Sequence, residues 1–154
     1  MPPRRTSGAQ SRGRAVARKL AMQALYQWQL NAQPWQDLCS QFRSDEDWAR
    51  ADAEYFQELV RAVLADSVEL DSELSIDLDR AAAGLDPIEH AILLIGAYEL
   101  SRRADVPFRV VINEGVRPAK RFGATGGHKY VNAVLDRLAR RLRAVEAPGS
   151  GAAV

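Results

Sequence analysis

Arg12, Arg14 and Arg18 lead into an apolar-periodic stretch, and Gln23, Tyr26 and Gln27 fall outside its apolar stripe. Guanidinium forks meet phosphate oxygens in two-point geometry, and a basic arm can order itself on a polyanion. A second group, Lys129, Tyr130 and Asn132, opens the last apolar-periodic segment. It brings together a cation, a stacking plane and an amide that both donates and accepts, the side chains that read an unpaired base. Tyr130 also suits a core position and Lys129 an ordinary surface, so both readings stay open on these residues alone.

Other chemistry finds little footing. Gly123-Ala124-Thr125-Gly126-Gly127 matches neither a P-loop nor a dinucleotide fingerprint; Gly123 reads as a helix stop, and the loop feeding the last helix leaves room for free N–H groups to meet a phosphate. His90 and His128 lack ligand-spaced partners, and the single cysteine, Cys39, excludes an internal disulfide and a cysteine-based zinc site. No serine sits in a nucleophile elbow. The many carboxylates cluster in one acidic stretch, which reads as a solvated face and not as isolated acid–base machinery. The expectation is a protein without catalytic residues, metal or cofactor.

The 154 residues suit one domain, and 47% apolar with 27% charged is an ordinary globular balance. No apolar run approaches the ~20 residues of a membrane span, and a soluble cytoplasmic protein is expected. The net charge of +1 hides an asymmetry: residues 1–19 sum to +6, 37–79 to −10 and 102–143 to +8. Basic ends around an acidic middle suggest one face for a polyanion and another for a different partner, although solubility charge explains the pattern equally well.

Apolar spacing predicts helices throughout and no strand. One runs from about 14 to 31, a short one follows Pro34, and a third pattern runs from Trp48 to Val63. A fourth continues to Leu78 with a break near Asp66-Ser67, and Gly84 marks a stop. Asp86-Pro87-Ile88-Glu89 combines a cap, a first-turn proline and a capping-box acid. The helix it opens is apolar almost all round, so it belongs at the centre, and Gly96 within it predicts close helix approach. Pro118 predicts a kink or break in the next helix, and the last helix begins near His128. The fold class is all-α, a compact single-domain bundle of about six or seven helices. A mobile basic arm is expected at 1–13, the folded domain at 14–146 and a disordered tail at 147–154.

Three segments in order, ALYQWQL (24–30), YELSRRADVPFRVVINEGV (98–116) and RFGATGGHKYVNAVLDRLA (121–139), resemble the NusB family of bacterial transcription antitermination factors. The resemblance spans roughly Arg14 to Glu146. It implies an RNA-binding helical protein that acts with NusE, a small-subunit ribosomal protein, on the boxA element of ribosomal RNA leaders, helping RNA polymerase pass terminators. By position it implies RNA contacts at Arg14, Arg18, Lys129, Tyr130 and Asn132, with Arg12 sharing the work of a diluted arginine run. Tyr26 belongs near the same surface, and Glu89 matches an acidic position that faces a partner. Ala15 and Val16 stand where relatives carry arginines, Gly126-Gly127 replaces a more polar turn, and Pro118 replaces a usual leucine. The acidic middle is expected to face basic NusE, through residues such as Asp45, Asp47 and Glu54. Rival readings are a methyltransferase, which needs a further catalytic domain after this fold, a helical protein-interaction module, and an unselective RNA chaperone.

Overall fold

The computed structural model describes residues 7–79 and 84–144. Seven α-helices occur among them: α1 Ser7–Leu30, α2 Trp35–Phe42, α3 Ala53–Ala65, α4 Ser67–Ser75, α5 Pro87–Arg102, α6 Phe108–Phe122 and α7 Gly127–Leu142. No strand occurs among the described residues, and no helix there is long and apolar enough to cross a membrane. The Asp86 carboxylate accepts from the N–H groups of Ile88 and Glu89, with Pro87 in the first turn, so α5 starts where the capping signal placed it. Every residue from Ala91 to Leu100 is buried, and α1, α3, α4, α6 and α7 all pack on this one helix.

Close packing has a specific cause. A Cβ on Gly96 would lie 2.5 Å from Leu135 Cδ2, and one on Gly115 would lie 2.7 Å from Leu135 Cδ1. Leu135 of α7 therefore wedges between two bare backbone patches on α5 and α6, and it is wholly buried. The ends of the bundle are tied by polar groups. His90 contacts Gln29 of α1 through Nδ1 at 3.0 Å and Asp71 of α4 through Nε2, so it bridges three helices. Arg143, just past α7, donates to the carbonyls of Glu99, Leu100, Arg103 and Val106 at 2.8–3.0 Å, satisfying the open end of α5.

Three boundaries differ from the sequence expectation. Helix α1 begins at Ser7, so part of the expected arm is helical. Gly13 is buried and its carbonyl accepts from Asp52 N–H at 2.9 Å. That docking anchors the turn, and extending an existing helix over polar residues carries no nucleation cost. The pattern from Trp48 to Val63 is divided into a 3-10 turn, Trp48–Arg50, and α3, because the Asp52 side chain caps Tyr55 N–H. The break at Asp66 falls where expected. Pro118 does not break α6, which runs as one helix to Phe122. Gly115 and Ala119 flank it and are buried, so packing holds the turn despite the lost backbone bond. Residues 1–6 and the tail expected at 147–154 lie outside the described residues.

Leu135→Ala should cost about 2–5 kcal/mol by leaving a cavity between α5, α6 and α7. In that background Gly96→Ala should turn from destabilising to stabilising by up to about 1 kcal/mol, since the clash is gone and helix propensity remains. Urea unfolding of the two single variants and the double variant measures the reversal.

Candidate nucleic-acid interface

Arg14 and Arg18 sit one turn apart on α1, but their surroundings differ. Arg18 is 6% exposed. Its Nε donates to both carboxylate oxygens of Glu99, at 3.0 and 3.1 Å, and its Nη2 donates to Oε2 at 2.8 Å. Glu114 stands 3.6 Å from Nη1, and the Tyr55 hydroxyl also donates to Glu99. Burial disfavours the Arg18 charge, yet the bond to Glu99 and the fields of Glu99, Tyr55 and Glu114 outweigh it, so its pKa is raised. Burial, and then Glu99, push the Tyr55 phenol well above its ordinary range. Arg18 is thus a bolt between α1, α5 and α6, with its fork spent inside the protein.

Arg14 lies with its guanidinium carbon 4.5 Å from the centre of the Tyr55 ring. Its nearest carboxylate is Asp105, 4.0 Å away, and its buried Nε has no hydrogen-bond partner. Asp105 is already gripped by the Arg103 fork, which holds its carboxyl down to about 2. Arg12 is exposed on a neighbouring face of α1, in line with Lys19, Gln23 and Tyr26 at helical spacing.

At the other end of α5, Glu89 is 6% exposed and clasps the α6–α7 loop. Its Oε2 accepts from Ala124 N–H at 3.3 Å, and its carboxylate packs so closely on Gly127 that a Cβ there would lie 2.6 Å from it. The start of α7 therefore holds a protein carboxylate, where the sequence left room for a phosphate. Gly126 takes the left-handed conformation, φ 78°, that turns the chain into α7. Lys129 and Asn132 are exposed beyond it. Tyr130 is half-buried against the core and its hydroxyl donates to Asp79 at 3.0 Å.

These two groups do not converge on one point. Arg18 sits at Glu99 and Gly127 at Glu89, ten residues apart on α5, or about 15 Å along its axis. A groove of about 250 Å³ lies beside Arg18, formed by α1, α6 and the 3-10 turn at Arg50. Ala15, Val16, Pro118 and Phe122 give it apolar patches, while Arg18, Lys19, Arg50, Arg117 and Arg121 outnumber its one lining carboxylate, Glu114. Arg117 is 76% exposed, and Arg121 is exposed with no carboxylate in salt-bridge reach among the described residues. Phe122 leads straight into the Glu89-clasped loop.

A family model described as the NusB family matches residues 15–140. The chain belongs to the NusB family. It is 48% identical over 144 residues to the transcription antitermination protein NusB of Marinobacter nauticus, covering 94% of this chain and 91% of the relative. With NusB of Pseudomonas entomophila it shares 51% over 138 residues, covering 90% and 83%. Among solved structures, T. maritima NusB superposes with a TM-score of 0.72 at 26% identity, covering 82% and 89%. A complex of antitermination factors NusB and NusE with double-stranded RNA shares the fold, with a TM-score of 0.70 at 24% identity, covering 82% and 96%.

Among the residues singled out from the NusB resemblance, Arg12, Tyr26, Lys129 and Asn132 are exposed, Arg14 is partly buried beside an open cleft, and Arg18 and Glu89 are buried in polar clusters. Lys19, Arg50, Arg117 and Arg121 were not singled out. The basic sums of residues 1–19 and 102–143 include Lys19, Arg117 and Arg121 but carry no information on facing, and Arg50 lies within the acidic 37–79 stretch with no signal at all. The acidic middle is also partly spent: Lys19 and Arg50 hold Asp47, Arg102 holds Asp66, Arg103 holds Glu58, and Arg141 holds Glu73 and Asp77. Asp45 accepts from Asp47 N–H, so of the three acids expected to face NusE only Glu54 is exposed.

Arg18→Gln should cost about 3–5 kcal/mol by leaving Glu99 buried without its fork. Arg12→Gln should stay within about 0.5 kcal/mol of the parent. Denaturant unfolding separates the two, and an Arg18 variant of parental stability contradicts the bolt.

Proposed function

We propose that this chain is a transcription antitermination factor that binds the boxA element of ribosomal RNA leaders together with NusE and helps RNA polymerase read through terminators. The observation that carries the reading is the basic groove between α1 and α6, lined by Lys19, Arg50, Arg117 and Arg121 and reaching Phe122, the last residue of α6. It fits a chain whose relatives are named for antitermination. The protein acts without cofactor or catalysis, in the cytoplasm.

The parts divide the work. Arg12, Arg14, Arg117, Arg121 and Lys129 neutralise phosphates and release counterions, which supplies most of the affinity. Tyr26, Tyr130 and Asn132 meet unstacked bases, Tyr130 after its hydroxyl leaves Asp79 or with the ring face alone. Arg18 and Glu89 act through others: one fixes the tilt of α1, the other fixes the loop that aims α7.

Filter binding should show tighter association with a boxA RNA than with a scrambled RNA of equal length, more so with NusE present. Arg121→Gln should lower the log–log salt slope by about 0.7, the share of one single-strand phosphate contact. Equal affinity for both RNAs identifies an unselective RNA chaperone instead.

A further inference from the structure

A second cleft, of about 440 Å³, opens beside the first turns of α1, between them, the α5–α6 turn and α6. Its size falls within the roughly 300–1,000 Å³ of small-ligand sites. One wall exists only because α1 begins at Ser7, which places Gln10 on a helix facing Asn113 and Arg117 of α6 across the opening. Val110, 38% exposed, and the exposed Pro107 supply an apolar floor. Two carboxylates border the cleft, and neither faces it alone: the Arg103 fork holds Asp105, and Glu114 lies 3.6 Å from Arg18 and 3.7 Å from Arg117. Arg14 and the 76% exposed Arg117 are the lining cations with no carboxylate closer than 3.7 Å among the described residues.

Arg14 is the decisive residue. Arg18 and Arg103 at the same Tyr55 ring have their forks on carboxylates, whereas Arg14 Nε is buried without a partner and the nearest carboxylate oxygen is 4.0 Å away. The Arg14 side chain is 20% exposed and lines the cleft, so its charge stays open to an incoming anion. A bare phosphate would use the arginines but neither the amides nor the apolar floor. A nucleotide uses all three.

We infer that this cleft holds one splayed nucleotide of the bound RNA, its phosphate on Arg14 and Arg117 and its base on Val110 and Pro107, read at the edge by Asn113 and Gln10. The inference rests on the RNA-binding reading and adds to it a single-base selectivity pocket at the α1 root, separate from the start of α7.

The test is an abasic scan of a boxA RNA against the full-length protein with NusE. One position should weaken binding about tenfold when its base is removed, the scale of one good base-edge contact. Asn113→Ala should bind the intact RNA about tenfold more weakly and lose its sensitivity at that position alone. Arg117→Gln should lower the salt slope by about 0.7 and leave the base profile unchanged. Both residues are exposed, so neither variant challenges folding. A parent-like abasic profile for Asn113→Ala overturns the pocket while leaving RNA binding intact. So does a normal profile with weakened NusE capture, which assigns the cleft to protein docking. A parent protein that binds no boxA RNA overturns the RNA reading itself.

Discussion

The buried pair of Arg18 and Glu99 is the constraint on which the interface depends. It fixes the rotation of α1 about its axis, and with it which side chains α1 shows to solvent. Once Arg18 points inward, helical spacing sends Arg14 over Tyr55 and turns Lys19, with Gln23 and Tyr26 beyond it, toward the open side. Removing two charges from water is expensive, and the pair survives because each charge has several partners: Tyr55 also bonds Glu99, and Glu114 also faces Arg18. The same Tyr55 ring gathers Arg14, Arg18 and Arg103, so α1, α3 and the α5–α6 turn meet on one aromatic ring.

A second constraint sits at the opposite end of α5. Glu89 fills the space at the start of α7, and Gly127 is bare because that carboxylate leaves no room for a side chain. The two polar ties bracket the apolar centre where Leu135 lies between Gly96 and Gly115. Helix α6 is held at both ends, and its basic outer face becomes the wall opposite α1. Rigid ends with an open groove between them suit a ligand that is long, flexible and charged.

Much of the fold was readable from local chemistry. Asp86-Pro87 marks the start of α5 because a cap and a first-turn proline act within one turn, and the unbroken apolar character of α5 announces its central place. Gly96 signalled close approach, though only coordinates could name Leu135 as its cause. What sequence leaves open is the facing of charges. Arg14 and Arg18 are the same residue type one turn apart, yet one has its fork consumed and the other does not. Arg117 and Arg121 needed the α1–α6 pairing before they belonged to anything, and Pro118 looked like a break because packing on either side of it is not local information.

Amide chemical-shift mapping of the labelled protein during titration with a boxA RNA tests the central claim most directly. The account predicts a continuous track of shifted resonances along the Lys19 and Tyr26 face of α1, through Arg117 and Arg121 of α6, to Lys129. Shifts confined to α3 and α4, with α1 and α6 silent, would contradict it.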